Sequence, residues 1–247
     1  KLIKQKKYNF EDIKRRNYDL IINSEQGNTI SRKYFQKKIE KNYKALAHTA
    51  IINHKKIENK IAIQIFTNNG PLAFLPLSNN ESSIVFSKNS MKIIEKNEFL
   101  KIIKKYNTKY KINKISDIET FHIKFVVLRK YFFKNMLAFG DLIHKVHPLA
   151  GQGFNMTIRD LKILVNIINE RYENGLELDV SCLRSFENLA KPKNLIFSES
   201  INFIHNIFRT NDNFGRENFY KLIKKIGENK KFNDFFIKTA DEGIKGF

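Results

Sequence analysis

One cysteine in 247 residues excludes an internal disulfide and fits a reducing cytoplasm. Cys182 sits among apolar helical positions with no charged activating neighbourhood, so it reads as a packing residue and not a nucleophile. No apolar run is long enough to cross a bilayer, and the start of the chain carries no signal-like stretch. Repeats and low-complexity linkers are missing too. An H-x-x-H pair, His144 and His147, is the nearest approach to a metal-ligand pattern, but no further His, Cys or carboxylate cluster completes it, and no metal site is expected. Acidic residues are scarce: 25 Asp and Glu face 45 Lys and Arg, a formal charge of +20. The lysines are scattered among Asn and Ile instead of being gathered on one basic helix, so a nucleic-acid partner is not expected. Attraction to an anionic membrane surface is the better expectation, placing the protein in the cytoplasm and peripherally on the inner face of the cell membrane.

What the chain does have is 42% hydrophobic residues, enough to bury a real core. Its organising stretch runs from Gly140 to Asp160. Met136 to Phe139 reads as a short buried strand, ended by Gly140 where a side chain would obstruct a close approach. Beyond the loop, Ile158, Leu161, Leu164, Val165, Ile168 and Tyr172 recur at helical spacing, with Arg159, Lys162, Asn166 and Asn169 on the opposite face. A helix is therefore expected to begin near Gly151 to Phe154. Its glycine-rich first turn leaves backbone N–H groups open to an anionic or electron-rich ligand.

The segment G-D-L-I-H-x-x-H-P-x-A-G-Q-G-x-N, running on to Asp160, resembles a signature of the FAD-dependent aromatic-ring monooxygenases, and most closely that of the hydroxylases of ubiquinone biosynthesis. Gly140, Asp141, His144, His147, Pro148, Ala150, Gly151, Gln152, Gly153, Asn155 and Asp160 fall in register. Leu142 and Ile143 replace two alanines, and Thr157 replaces a glycine. A weaker match lies at Ser24 to Arg32, after a short strand at Tyr18 to Asn23. There Asn28 and Arg32 agree with a second family signature that contributes to FAD and pyridine-nucleotide binding, while Gln26 stands where glycine is usual.

The resemblance implies a mixed α+β and α/β fold: part of an FAD-binding lobe, a mostly antiparallel substrate-lobe sheet and C-terminal helices. The expected divisions are residues 1–35 for the end of the FAD lobe, 36–128 for the substrate-lobe sheet, 129–175 for the return to the FAD lobe and 176–247 for a C-terminal helical region. Because the chain opens as if in the middle of a domain, and because no G-x-G-x-x-G occurs in it, an N-terminal dinucleotide-binding segment is expected to be missing. Cofactor-binding residues implied are Gly140, Asp141, His147, Pro148, Gly151, Gln152, Gly153, Asn155 and Arg32. The cofactor is FAD, reduced by NAD(P)H, with O₂ as co-substrate and one oxygen atom passed to an electron-rich ring. No catalytic residue is assigned. Asp141 is placed to accept from ribityl hydroxyls, and the helix starting at Gly151 directs its positive end at the flavin.

Strands are expected at Tyr43 to Ile52, Ile61 to Phe66 and Phe121 to Leu128. Leu72 to Leu77 and Ser83 to Ser87 should form a hairpin across Asn79-Asn80-Glu81. Met91 to Tyr110 reads as a lysine-rich helix and Lys111 to Asp117 as a polar connection. A second long helix should start near Asp179, bend or divide at Pro192, and continue its apolar stripe through Ile201, Ile204, His205 and Phe208. The tail from Phe214 to Phe247 carries enough apolar surface to need a partner face. Phe66, Phe74 and Phe86 are candidate inward positions of a greasy cavity, and Ile61 to Ser87 holds no arginine to clamp a carboxylate. A polyprenylated phenol is thus the expected aromatic substrate, with other ubiquinone-biosynthesis proteins as partners. The competing readings are a truncated or split fragment that binds no FAD alone and survives as an interaction partner or remnant, an enzyme of the same flavin fold with different chemistry such as a reductase, and plain sheet core for the phenylalanines.

Overall fold

The computed structural model describes residues 18–148 and 151–209. Leu149 and Ala150 of the signature, the side chains of Ile204, His205 and Phe208, and the tail 214–247 lie outside the described residues. Ten strands form two sheets. A three-stranded sheet has the order β1 (Ile21–Asn23), β9 (Met136–Ala138), β8 (Phe132–Phe133), with β1 and β9 parallel. Parallel neighbours need a long crossover, and here every strand of the second sheet except its last, which follows β9 in the chain, fills it.

That larger sheet is built on β2 (Lys38–His54). Its order is β10 (His144–Lys145), β7 (Glu119–Leu128), β2, β5 (Glu81–Lys88), β4 (Gly70–Pro76), β3 (Ile63–Thr67), and β6 (Ile112–Ile115) also pairs with β2. All its pairings are antiparallel. The expected β4–β5 hairpin forms, and Asn68-Asn69-Gly70 turns β3 into β4. The polar run at 111–117, expected as a connection, is instead largely the strand β6, whose Ile112 and Ile115 lie against the core of this sheet. The helix expected over 91–110 is shorter, α2 (Lys96–Tyr106), and α1 (Thr29–Tyr34) precedes it in the chain.

One face of the large sheet is closed by α2. Leu72 pairs with Phe86 and Phe74 with Ile84, and these four side chains pack with Phe99 and Ile103. Each such buried apolar side chain contributes about 1.5–3 kcal/mol. Alternation sends the neighbouring residues to the other face, where Tyr43, Ala45, Ala47, Ile123, Phe125 and Val127 form a second cluster. A bulge between Asn42 and Leu46 interrupts the pairing of β2 with β7, with Lys44 at φ 50° and its N–H donated to Asn42 Oδ1 at 2.9 Å.

Two long helices, α3 (Gln152–Glu173) and α4 (Val180–Arg209), pack against each other and the small sheet. The inward face of α3 is Met156, Asp160, Leu164 and Ile167, whereas Leu161, Val165 and Tyr172 of the expected stripe are exposed. The helix is apolar on two sides, and contacts with α4 and β9 decide which side is buried. Asp179 Oδ1 caps α4 by accepting from Ser181 N at 2.9 Å. Pro192 neither divides nor ends the helix, which runs on past it. Cys182 is fully buried there, and burial raises its thiol pKa, as expected of a packing residue.

Candidate functional site

The signature segment crosses from one sheet to the other. β9 ends the small sheet; a 3₁₀ turn at Gly140–Leu142 follows, and β10 then joins the edge of β7 through His144 and Val127. Ile143 O accepts from Leu128 N at 2.8 Å, stitching the turn to the large sheet. The chain then reaches the first turn of α3. This crossing opens a cleft of about 830 Å³ between the lobes.

The floor of the cleft is Gly140, Asp141, His144 to Pro148, Gly151, Gly153, Phe154 and Thr157. Its roof is the inner face of the large sheet: Ala47, Thr49, Val85, Phe121 and Ile123. The phenylalanines expected to line a cavity do not reach it. Phe74 and Phe86 face α2 on the opposite side, and Phe66 is half-buried at β3, away from the cleft. Nor is the cleft free of charge, because Lys124, Lys145 and His122 also line it. Arginine is lacking, yet two cations are present.

Gly140 and Gly151 have φ of 61° and 66°, a conformation costly to other residues. Crowding is not the reason at Gly140, contrary to expectation: an added methyl would meet Thr157 Cγ2 at 3.7 Å, an ordinary contact. At Gly151 nothing lies within 4 Å of the missing methyl, so the N-terminus of α3 stands open. The Asp141 carboxylate is exposed in the cleft and takes no hydrogen bond from the described residues, while its backbone oxygen accepts from the Gln26 side chain. An open carboxylate and an open helix N-terminus in one apolar-roofed cleft suit a ligand with hydroxyl donors and an electron-rich end.

Of the other sequence-expected residues, His147 is buried with Tyr43 edge-on to its ring at 5.4 Å, and the Tyr43 hydroxyl donates to Asn202 Oδ1 at 3.2 Å. Gln152 and Asn155 lie on the same first turn of α3 but outside the lining, 3.5 Å apart through their amides. Arg32 is not in this cleft. It borders a second cavity of about 330 Å³ with Gln26, Gln36 and Lys38, where Leu142 forms part of the wall. The loop before Arg32 is fixed by Asn23, which donates to Ser31 Oγ at 2.8 Å, and by Asn28, which caps α1 by accepting from Ser31 N at 2.9 Å.

Asp160, to which the sequence assigns no role beyond its place in register with the signature, has one in the structure. Asp160 is 1% exposed. Its carboxylate accepts from His144 Nε2 at 3.0 Å, and the Asn194 amide reaches both of its oxygens at 3.0 and 2.9 Å. The spacing from His144 to Asp160 was in view; Asn194, on a different helix, left no local signal. Thr157 donates to Gly153 O at 3.3 Å, so its hydroxyl is absorbed within α3. Among the described residues no group of three His, Cys, Asp or Glu could hold a metal.

A family model described as "FAD binding domain" matches residues 88–177, the stretch that contains the return strand, the turn and all of α3. The ubiquinone biosynthesis monooxygenase COQ6 of Dictyostelium discoideum is 29% identical over 196 residues, covering 63% of this chain and 40% of the relative. Ubiquinone hydroxylase UbiL of Rhodospirillum rubrum is 23% identical over 162 residues, covering 62% and 38%. The chain thus spans less than half the length of these relatives. Among solved structures, p-nitrophenol 4-monooxygenase PnpA from Pseudomonas putida superposes with a TM-score of 0.70 at 9% identity, covering 92% of this chain and 60% of that one. Klebsiella pneumoniae HpxO complexed with FAD and uric acid gives 0.67 at 13%, covering 92% and 60%. The chain thus shares its fold with p-nitrophenol 4-monooxygenase and HpxO, and its central stretch matches an FAD-binding domain. In sequence it is similar to the hydroxylases of ubiquinone biosynthesis.

Proposed function

We propose that this chain forms the flavin- and substrate-facing part of an FAD-dependent hydroxylase that uses NAD(P)H and O₂ to hydroxylate an aromatic ring in ubiquinone biosynthesis. The observation that carries the reading is the cleft itself. Asp141 and the N-terminus of α3 would hold the flavin from below, and the apolar sheet face would exclude water from above. When bound, FAD supplies the oxygen-activating chemistry; the chain binds, orients and shields. Asp141 would accept from the ribityl hydroxyls, and Gly151 and Gly153 would permit close approach. His147 and Pro148 shape the loop beside them, and Gln152 and Asn155 complete the helix turn. Arg32, at the second cavity, suits a phosphate-bearing partner such as the nicotinamide cofactor.

For the substrate we favour an apolar, prenylated phenol, because Ala47, Thr49, Val85, Phe121 and Ile123 roof the cleft. Lys124 and Lys145 leave a charged aromatic acid as the competitor. Flavin-dependent NAD(P)H oxidation should be stimulated by a polyprenylphenol and not by 4-hydroxybenzoate; stimulation by the small acid alone would reverse the assignment. In FAD titrations followed by flavin fluorescence, Asp141→Ala should weaken binding, because hydroxyl donors lose their acceptor. A second reading, a split flavoprotein fragment acting as an interaction partner, is favoured by the absence of G-x-G-x-x-G from the 247 residues. It requires the purified chain to be colourless, whereas stoichiometric yellow flavin would reject it.

A further inference from the structure

Three separate elements meet at one buried carboxylate. His144 belongs to β10, Asp160 to α3 and Asn194 to α4, and all three side chains are at least 97% buried. An ionised carboxylate is acceptor-only, so His144 donates Nε2–H and Asn194 donates its amide hydrogens. His144 lies three residues after Asp141; Asp160 lies in α3, whose first turn carries Gly151 and Gly153. The His144–Asp160 bond therefore ties the segment holding the open carboxylate to the helix holding the open N-terminus.

We propose that Asp160 is a positioning residue: acting through His144, with Asn194 holding it from behind, it sets the spacing between Asp141 and the N-terminal turn of α3. Each N–H that faces the Asp160 carboxylate has an acceptor there, although His144 Nδ1 accepts from no described residue, and in so buried a junction one mismatched donor breaks a bond. The donor arithmetic gives a specific test. In Asp160→Asn, the new amide hydrogens face another donor, so one bond is lost. In the double variant Asp160→Asn with Asn194→Asp, the amide oxygen at 160 accepts from His144 and its N–H donates to the carboxylate at 194. Every donor again has an acceptor, with no change in total charge. The consequence for FAD rests on the function proposed above; the mechanical role does not.

The experiment is ¹⁵N-edited NMR on the 247-residue chain, reading the His144 imidazole tautomer and backbone amides, beside FAD titration. The wild type should show the Nε2–H tautomer. Asp160→Asn should shift the amides of Asp141, Gly151 and Gly153 while leaving Asn59 and Ser82, at the far end of the large sheet, unmoved. FAD affinity should fall about tenfold, the size of one lost hydrogen bond to a charged group. The double variant should restore tautomer, amide positions and affinity. Unmoved Asp141 and Gly153 amides in Asp160→Asn would overturn the proposal, as would equal disturbance at Asn59 and Ser82, or a folded double variant that restores nothing. If the amides behave as expected but no form binds FAD, the positioning role stands and the reading of the chain as a fragment that binds no FAD alone is the one selected.

Discussion

Glycine serves opposite ends in this chain, and Gly70 and Gly151 separate them. At Gly70, with φ 128°, a methyl group would lie 1.8 Å from the backbone oxygen of Ser87 on the paired strand β5 side of the turn, which only backbone movement could relieve. Gly70→Ala should therefore destabilise the protein by about 3 kcal/mol or more. At Gly151 the space is open, so Gly151→Ala should cost only about 1 kcal/mol, from its left-handed φ of 66°. That cost falls where a ligand would approach the helix N-terminus. Denaturant melts should rank Gly70→Ala far below Gly151→Ala, and FAD titration should reveal a loss in Gly151→Ala larger than its stability change explains. Equal melting losses would show that the close approach at Gly70 is absorbed by the turn.

Among the elements, α3 shows most clearly what a sequence can and cannot say. Its start near Gly151 was readable, because glycines at a helix end are local chemistry, and the left-handed Gly175 that follows its last turn is of the same kind. Its inward face was not readable, since both Leu164 and Val165 fit the expected stripe and only packing on α4 and the small sheet separates them. Leu164 is 2% exposed and Val165 43%. Leu164→Ala should accordingly cost about 2–4 kcal/mol and Val165→Ala less than about 0.5; urea unfolding of the two variants checks the orientation, and equal losses would place the helix wrongly. The same limit explains the other misses. The hairpin at β4 and β5 was legible from alternation, but alternation cannot say which face meets a helix, so Phe74 and Phe86 were assigned to a cavity they do not line. Six of the nine expected cofactor residues share the cleft because they are contiguous in one signature. Arg32, more than a hundred residues away in sequence, lies at a separate cavity.

For the whole molecule, burial and charge lead to tests in opposite directions. Burial, followed by the negative charge of Glu199, pushes the Tyr43 phenol up to about 12, above its ordinary value near 10. Burial likewise raises Tyr131, with Asp160 and Glu187 adding to the effect. Below about pH 10 these phenols are protonated in both states and their contribution is intact. As pH climbs toward 12 the unfolded chain releases protons that the folded chain retains, so stability falls, by about 2 kcal/mol or less for Tyr43. Tyr43→Phe should flatten the decline measured from pH 10 to 12; an unchanged slope would remove Tyr43 as its source. Charge acts at longer range. The +20 of the whole chain comes from lysines spread over its length, and among the described residues no helix is long and apolar enough to cross a membrane. From that charge we propose peripheral attraction to an anionic surface, which would bring a prenylated phenol and the cleft together. Because exposed charges are screened beyond about 8 Å at physiological ionic strength, sedimentation with vesicles containing phosphatidylserine should be strong at low salt, weaken steeply toward 0.5 M NaCl, and vanish with neutral phosphatidylcholine. Binding that ignored both salt and headgroup charge would mean an apolar contact, and no binding at low salt would dismiss the membrane as the route by which substrate arrives.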